Sequence, residues 1–349
     1  MTRAARASAR SSLLFLLALP IAAQHGSEAD RPIVLSVGVT VRDLEASVRF
    51  YTEVLQFRVV ERSEHDGAAE ERLQGLFGLH TEVARLQLGD EQLVLTEYLT
   101  PRGRSLPEDS RSNDHWFQHV AIIVRDMDAA YAELRRHRVR HASPRPQTLP
   151  EWNVGAAGIR AFYFQDPDGH ALEVLQFPVG KGDAKWHRPG ENLFLGIDHT
   201  AIVVADTAAS LRFWRDELGL EVVGHSDNHG EEQERLNNVY GARLAITTLR
   251  GASGPGVELL EYVTPRGGRN MPADTVASDL WHWVVTVQGD HLREHAADLV
   301  RGGTLVSAPA APTDPARLPL LVRDPDGHRA MLVDGRTPAP AASAPREPR

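Results

Sequence analysis

The reactive chemistry open to this chain rests on imidazole and carboxylate groups. Its 349 residues include 16 histidines but no cysteine. Disulfides, thiolate metal ligands and a nucleophilic thiol are therefore excluded. A single histidine or glutamate on a strand is most often structural, whereas a glutamate that faces a core is costly unless it is paired or bound to a metal. If several histidines and glutamates occupy equivalent positions in repeated units, a metal site with nitrogen and oxygen ligands becomes a reasonable hypothesis.

The chain contains an internal duplication. Residues 41–51 (VRDLEASVRFY) return as 204–214 (VADTAASLRFW), and residues 97–103 (EYLTPRG) return as 261–267 (EYVTPRG). The sequence DPDGH occurs at residues 166–170 and again further along the chain. Because these segments recur in one order at a spacing of about 160 residues, they indicate two duplicated domains.

Each domain is itself predicted to contain two modules, because residues 41–43 (VRD) also recur at 124–126. The four modules, called quarters below, begin near Ile33, Trp116, Leu195 and Leu280. Each opens with an apolar strand-like run, such as residues 120–124 (VAIIV), and an aspartate. A segment with helical periodicity follows, such as residues 127–137, and then further strands joined by turns such as DPDG. The predicted fold class is α+β, with four βαβββ modules.

This module, its opening strand that ends at an aspartate, and the DPDGH turn that runs into Leu172 and Glu173 resemble the vicinal oxygen chelate superfamily. The resemblance covers about residues 33–335. The family includes glyoxalase I, methylmalonyl-CoA epimerase, extradiol dioxygenases and fosfomycin resistance enzymes. It implies two tandem domains with cup-shaped sheets. It also implies metal ligands from two places in a quarter, usually a histidine on the first strand and a glutamate on the last.

Carried onto this chain, the first-strand position falls, in quarter order, at Ser36, His119, His199 and His282. The last-strand position falls at Val94, Glu173, Glu258 and Met331. Only the second and third quarters hold both ligands, so a site within either domain alone would be incomplete. If these two quarters pair, as domain-swapped and fused family members allow, one cup collects the predicted metal ligands His119, Glu173, His199 and Glu258. The other cup would keep only His282, and Glu261 is the local alternative to Glu258.

Two imidazoles and two carboxylates suit one divalent ion, and zinc, nickel, iron and manganese all fit. The resemblance then implies a glyoxalase-like isomerase, lyase or epimerase that chelates neighbouring oxygens of a small carbonyl or hydroxy substrate, with Glu173 or Glu258 as catalytic base. One alternative is an extradiol-type dioxygenase, whose usual ligands would fall at His199, His282 and Met331. Another is a non-catalytic protein that sequesters a small molecule.

Composition and the two ends complete the expectations. The net charge is −9 and arginine is scattered, so nucleic acid is not an expected partner. Residues 1–23 have the pattern of a signal peptide, which predicts a periplasmic or secreted protein without a membrane anchor. We further predict a linker at 24–32, a first domain at 33–179, a linker at 180–194, a second domain at 195–335 and a disordered tail at 336–349. A monomer could form the complete site, and a homodimer is the other state we expect.

Overall fold

The computed structural model describes residues 31–290, 292, 299, 306–307 and 319–335. The predicted leader at 1–23, the predicted tail at 336–349 and most of the linker at 24–32 lie outside these residues. In the part that is described, no helix is long and apolar enough to cross a bilayer. The architecture is mixed α+β and rich in strands, which confirms the predicted fold class.

The helices and strands follow the predicted quarters, with additional short elements. The first quarter contains β1 (Ile33–Val41), α1 (Leu44–Glu53), β2 (Arg58–Asp66), α2 (Gly67–Gln74), β3 (His80–Leu88) and β4 (Glu91–Thr100). The second contains β5 (Gln118–Val124), α3 (Met127–Arg136), β6 (Arg140–His141), β7 (Gln147–Thr148), β8 (Arg160–Gln165) and β9 (Ala171–Gln176). A 3₁₀ turn, Ala184–His187, lies in the connection to the third quarter.

The third quarter contains β10 (Phe194–Val203), α4 (Thr207–Leu211), β11 (Glu221–His229), α5 (Glu231–Asn237), β12 (Arg243–Arg250) and β13 (Gly256–Thr264). A π-helical turn, Arg212–Glu217, extends α4. The described part of the fourth quarter contains β14 (Trp283–Gln288), β15 (Leu320–Arg323) and β16 (Arg329–Val333).

In the first three quarters, the aspartate after the opening strand begins a helix. Asp43, Asp126 and Asp206 have extended backbone, and each side chain accepts the backbone N–H three residues further on at 2.8–2.9 Å. A cap of this kind satisfies a helix N–H that would otherwise lack a partner, and it contributes about 1 kcal/mol. The repeated aspartate therefore marks the point at which the chain leaves the sheet for its helix.

Two sheets arise from an exchange of quarters between the halves of the chain. The outer sheet joins the first and fourth quarters in the order β15-β16-β14-β1-β4-β3-β2. The inner sheet joins the second and third quarters in the order β11-β12-β13-β10-β5-β9-β8-β6, with β7 beside β8. At the two junctions β1 pairs with β14 and β5 pairs with β10, both antiparallel. Each sheet therefore combines strands from both predicted domains.

Each of the two main hydrophobic cores is formed mainly within one half of the chain, although each sheet joins both halves. One cluster is built mainly from the first two quarters, with Tyr51 and Phe162 among its fully buried members. The other comes mainly from the last two, with Trp214 among its members. Because successive strand residues face opposite sides, one face of each quarter packs into a core within its half of the chain. The other face is left to line a cup shared between the halves.

A buried ionic group ties the β8–β9 turn to the fourth quarter. His170 Nδ1 donates to Asp166 Oδ2 at 2.7 Å, and His170 Nε2 lies 2.6 Å from the carbonyl oxygen of Leu280. The hydroxyl of Tyr51 also donates to Asp166. Burial lowers the pKa of His170, but the charge and hydrogen bond of Asp166, together with the charge of Asp168 and the Leu280 carbonyl, outweigh burial and raise that pKa above its usual value. Since both ring nitrogens face acceptors, we infer that His170 is an imidazolium.

Replacing His170 with leucine is expected to lower the free energy of unfolding by about 3 kcal/mol near pH 6, because the buried Asp166 loses its partner. A raised pKa means that the contribution is complete below the unfolded pKa of about 6.5 and disappears as pH rises through the folded value. The difference between His170→Leu and the parent should therefore shrink between pH 6 and pH 9, as measured by urea unfolding.

The matched control is His187→Leu, because His187 is exposed and bonds one backbone carbonyl. It should change the unfolding free energy by less than about 0.5 kcal/mol. A His170→Leu difference that does not depend on pH would show that His170 is neutral in the folded protein.

Candidate metal centre

Strand register brings the four predicted ligands onto one face of the inner sheet. Strands β5 and β10 are neighbours, with Ala201 opposite His119 and Ala121 opposite His199. On the far side of β5, strand β9 places Glu173 beside Ala121. On the far side of β10, strand β13 places Glu258 beside Ala201. Small alanines thus stand between the ligating positions.

The four side chains converge. His119 Nε2 lies 3.2 Å from Glu173 Oε2, and His199 Nε2 lies 3.8 Å from the same oxygen. The distance from His199 Nε2 to Glu258 Oε2 is 3.3 Å. Ligand atoms of His119, Glu173 and His199 all lie within 4.8 Å of one another, and all three residues are buried. The side chain of Glu258 is 18% exposed, against 6% for Glu173, so Glu258 is the more accessible carboxylate.

The residue before His199 fixes the orientation of that imidazole. Asp198 Oδ2 accepts from His199 Nδ1 at 2.9 Å and from Arg250 at 2.7 Å, so that Nε2 faces the glutamates. Burial lowers the pKa of His199, but Glu258, Asp198 and Glu173 outweigh burial and raise it to about 9. A carboxylate behind a ligating histidine is a common support for a metal site. The sequence hypothesis missed Asp198, although its place directly before a predicted ligand was a usable signal.

The chemistry of this donor set fits a divalent cation. Glu173 and Glu258 surround His199 Nε2 with negative charge, and this charge favours a cation at that point, either a proton or a metal. His119 Nδ1 is buried without a hydrogen-bond partner among the described residues. Unlike His199, the ring of His119 therefore has no described carboxylate behind it. Two imidazoles and up to two carboxylates leave coordination positions for substrate oxygens on zinc, nickel, iron or manganese.

The four side chains lie at the floor of a cavity of about 420 Å³, called the inner cup. Tyr163 forms part of it and packs against His119, with ring centroids 4.9 Å apart. Burial raises the pKa of Tyr163 well above its usual value, so its phenol stays protonated. Most of the remaining wall is apolar, and it includes Leu149, Ala161, Leu244, Ile246 and Leu260.

Glu261 has a different position from Glu258. Its carboxylate accepts from the backbone N–H and the hydroxyl of Thr207 at 3.0 and 2.7 Å, at the start of α4. Glu97 accepts the N–H of Leu44 at the start of α1 in the same way. The recurring glutamate therefore supports a helix in each case, while Glu258 faces the inner cup.

Register corrects one sequence assignment in the outer sheet. Across the junction Gly38 is opposite Val284, just as Ala201 is opposite His119 in the inner sheet. On the next strand Met331 pairs with Thr286, two residues beyond Val284. Val284, and not His282, thus occupies the fourth-quarter position that corresponds to His119. The sequence favoured His282 because a run of apolar strand residues looks the same in two registers that differ by two residues.

The outer equivalents of the four ligands are consequently Ser36, Val94, Val284 and Met331, and all four line a second cavity, called the outer cup. The dioxygenase ligands considered from sequence are not assembled. His199 lies in the inner cup, whereas His282 and Met331 lie in the outer one.

Comparisons with known proteins identify the family. The model of the Glyoxalase/Bleomycin resistance protein/Dioxygenase superfamily matches residues 33–174 and again residues 196–332. The chain therefore belongs to this superfamily, which confirms the resemblance drawn from the sequence. A 2-epi-5-epi-valiolone epimerase of an Actinomyces species is 35% identical over 149 residues, or 41% of this chain and 79% of the relative. The uncharacterized protein YwbC of Bacillus subtilis is 27% identical over 139 residues, or 40% of this chain and 93% of the relative.

Among solved structures, glyoxalase I from Zea mays is similar with a TM-score of 0.59 and 16% identity. The similarity covers 88% of this chain and 93% of the maize chain. At that identity it shows the shared fold alone.

Purified without chelator, the protein is expected to carry about one equivalent of divalent metal, as a single buried donor set requires. The double variant His119→Ala, His199→Ala should lose it, because both nitrogen donors are gone. Elemental analysis measures both. The matched control, His282→Ala in the outer cup, should keep the full equivalent. Metal retained in the double variant would place the ion elsewhere.

Proposed function

We propose that this protein is a metal-dependent epimerase or isomerase that acts on a small substrate with two neighbouring oxygens. The observation that carries the proposal is the convergence of His119, Glu173, His199 and Glu258 at the floor of the inner cup. The outer cup has the same scaffold but carries Ser36, Val94, Val284 and Met331 at the equivalent positions. The Actinomyces relative, which is named as an epimerase, supports the same class of reaction.

Glu258 is the better candidate for the catalytic base. Glu173 Oε2 lies within reach of both imidazoles and is nearly inaccessible, which suits a carboxylate that holds a cation. The more accessible Glu258 receives a hydrogen bond from Thr248 Oγ1 on one oxygen at 2.8 Å, which leaves its other oxygen directed at the cluster. When bound, a divalent ion would polarise a substrate carbonyl and make the adjacent C–H more acidic. Glu258 would then take that proton and hold it for return.

The lining and the volume of the inner cup indicate which substrates could reach Glu258. Its apolar side chains would keep water from the carbon that loses the proton, and this exclusion would strengthen the attraction between the cation and a developing negative oxygen. The volume of about 420 Å³ is within the range of small-molecule pockets. A compact carbonyl or hydroxy compound is therefore the proposed substrate class.

The base assignment predicts a specific loss in Glu258→Gln. With metal restored, wild-type protein should exchange the hydrogen beside the carbonyl of a suitable cyclic α-hydroxy ketone for deuterium in D₂O, as followed by proton NMR. Glu258→Gln should slow this exchange by about 10²–10⁴-fold, because the amide cannot accept the proton.

The control for this variant is Glu261→Gln, which changes the same residue type on the same strand but on the side that faces α4. It should exchange within about twofold of wild type, in keeping with an indirect structural role. Metal analysis of both variants separates loss of the base from loss of the ion. Oxygen consumption without exchange would favour a dioxygenase, and tight binding without any turnover would favour a sequestering protein.

We also propose that the protein is exported to the periplasm or beyond the cell. The support is the order of a basic segment, an apolar run and a small-residue site within residues 1–23. Expression of the full sequence in a Gram-negative host should yield protein in the periplasmic fraction with a new N-terminus near Gln24, found by N-terminal sequencing. An intact Met1 on cytosolic protein would contradict the proposal.

A further inference from the structure

The outer cup is the larger of the two shared cavities, at about 590 Å³ against about 420 Å³. Its floor is apolar where the inner cup holds ligands, since Val94, Val284 and Met331 replace three of them. No carboxylate belongs to its described lining. The described residues therefore form no metal site there, yet the space is that of a small-molecule pocket.

A buried ring nitrogen in the lining of this cavity lacks a hydrogen-bond partner among the described residues. His282 lines the outer cup and is only 4% exposed, and its Nε2 has no hydrogen-bond partner among the described residues. Tyr98 and Arg85, which also belong to the lining, are bonded within the protein to Gln74 and Gln92. A buried polar atom without a partner is costly and uncommon in native proteins. His282, two residues before Val284 on the same strand face, thus has a ring nitrogen that no described residue uses.

The neighbours of His282 determine which of its ring nitrogens carries the proton. The hydroxyl of Thr40 donates its only hydrogen to the carbonyl of Ala277 at 2.8 Å. His282 Nδ1 lies 3.4 Å from the same hydroxyl oxygen, so this contact needs the proton on Nδ1. Burial first, and the charge of Arg329 second, lower the pKa of His282 well below its usual value, which keeps the ring neutral. Nε2 therefore presents a lone pair and can only accept a hydrogen bond.

We propose that the outer cup is a second small-molecule site, selective for an apolar alcohol or phenol whose hydroxyl donates to His282 Nε2. The apolar residues Val94, Val284 and Met331 would hold the hydrocarbon body, and His282 Nε2 would orient the hydroxyl. This site does not use the metal centre of the inner cup. Its occupancy is independent of the proposed reaction there.

The test compares two probes that differ in one hydrogen-bond donor, 1-naphthol and 1-methoxynaphthalene, by isothermal titration calorimetry. It is performed on the full-length protein and on Ile246→Phe, whose added bulk fills the inner cup. In both proteins we expect saturable binding of 1-naphthol, about fivefold tighter than 1-methoxynaphthalene, because only 1-naphthol can donate to Nε2.

Two variants assign this binding to the outer cup. His282→Phe places there the residue type found at the corresponding inner position, Phe117, and should remove the preference for 1-naphthol. Val94→Phe keeps His282 but fills the cavity, and should abolish binding of both probes. Circular dichroism checks that each variant is folded.

Three results would overturn the proposal: no binding of either probe, a preference for 1-naphthol that survives in His282→Phe, or binding that is lost in Ile246→Phe and kept in Val94→Phe. The comparison of the two probes on unaltered protein does not depend on whether any variant folds.

Discussion

The antiparallel junction of β5 with β10 is the constraint on which the metal centre depends. Every ligand of the proposed site comes from one of these two strands or from the strand next to it. A slip of one residue would turn the side chains of a strand to the opposite face, where His119 and His199 would enter a hydrophobic core. The register that pairs Thr200 with Val120 therefore keeps the ligands on one face of the sheet and the core residues on the other.

This junction places two imidazoles beside two carboxylates in a buried space, an arrangement that is costly without a compensating cation. The surroundings show how the cluster is stabilised. Asp198, itself held by Arg250, orients His199, and Tyr163 packs against His119. The raised pKa of His199 expresses the same demand for positive charge. We interpret the inner cup as a preformed cation site whose proton can be exchanged for a metal.

The outer junction, β1 with β14, repeats the geometry with different side chains. Its four equivalent positions carry a hydroxyl and three apolar groups, so the same curvature yields a larger cavity without a carboxylate in its described lining. Duplication in this chain has therefore produced two cups with separate chemistry. The helix-starting aspartates and the glutamates at Glu97 and Glu261 recur in both halves because they support local structure, which both halves need equally.

Local patterns in the sequence were sufficient for the duplication, the α+β class, helix α3 and the four candidate ligands, because caps, turns and periodicity act over a few residues. The exchange of quarters between sheets was only one of several pairings that these patterns allowed. Tertiary structure decided it, since register depends on which strand lies alongside. The same contacts moved His282 out of the ligand position, identified Asp198 as the support of His199, and left His282 Nε2 buried without a described partner beside the outer cup. Such properties depend on distances between residues far apart in the chain, and no local pattern records them.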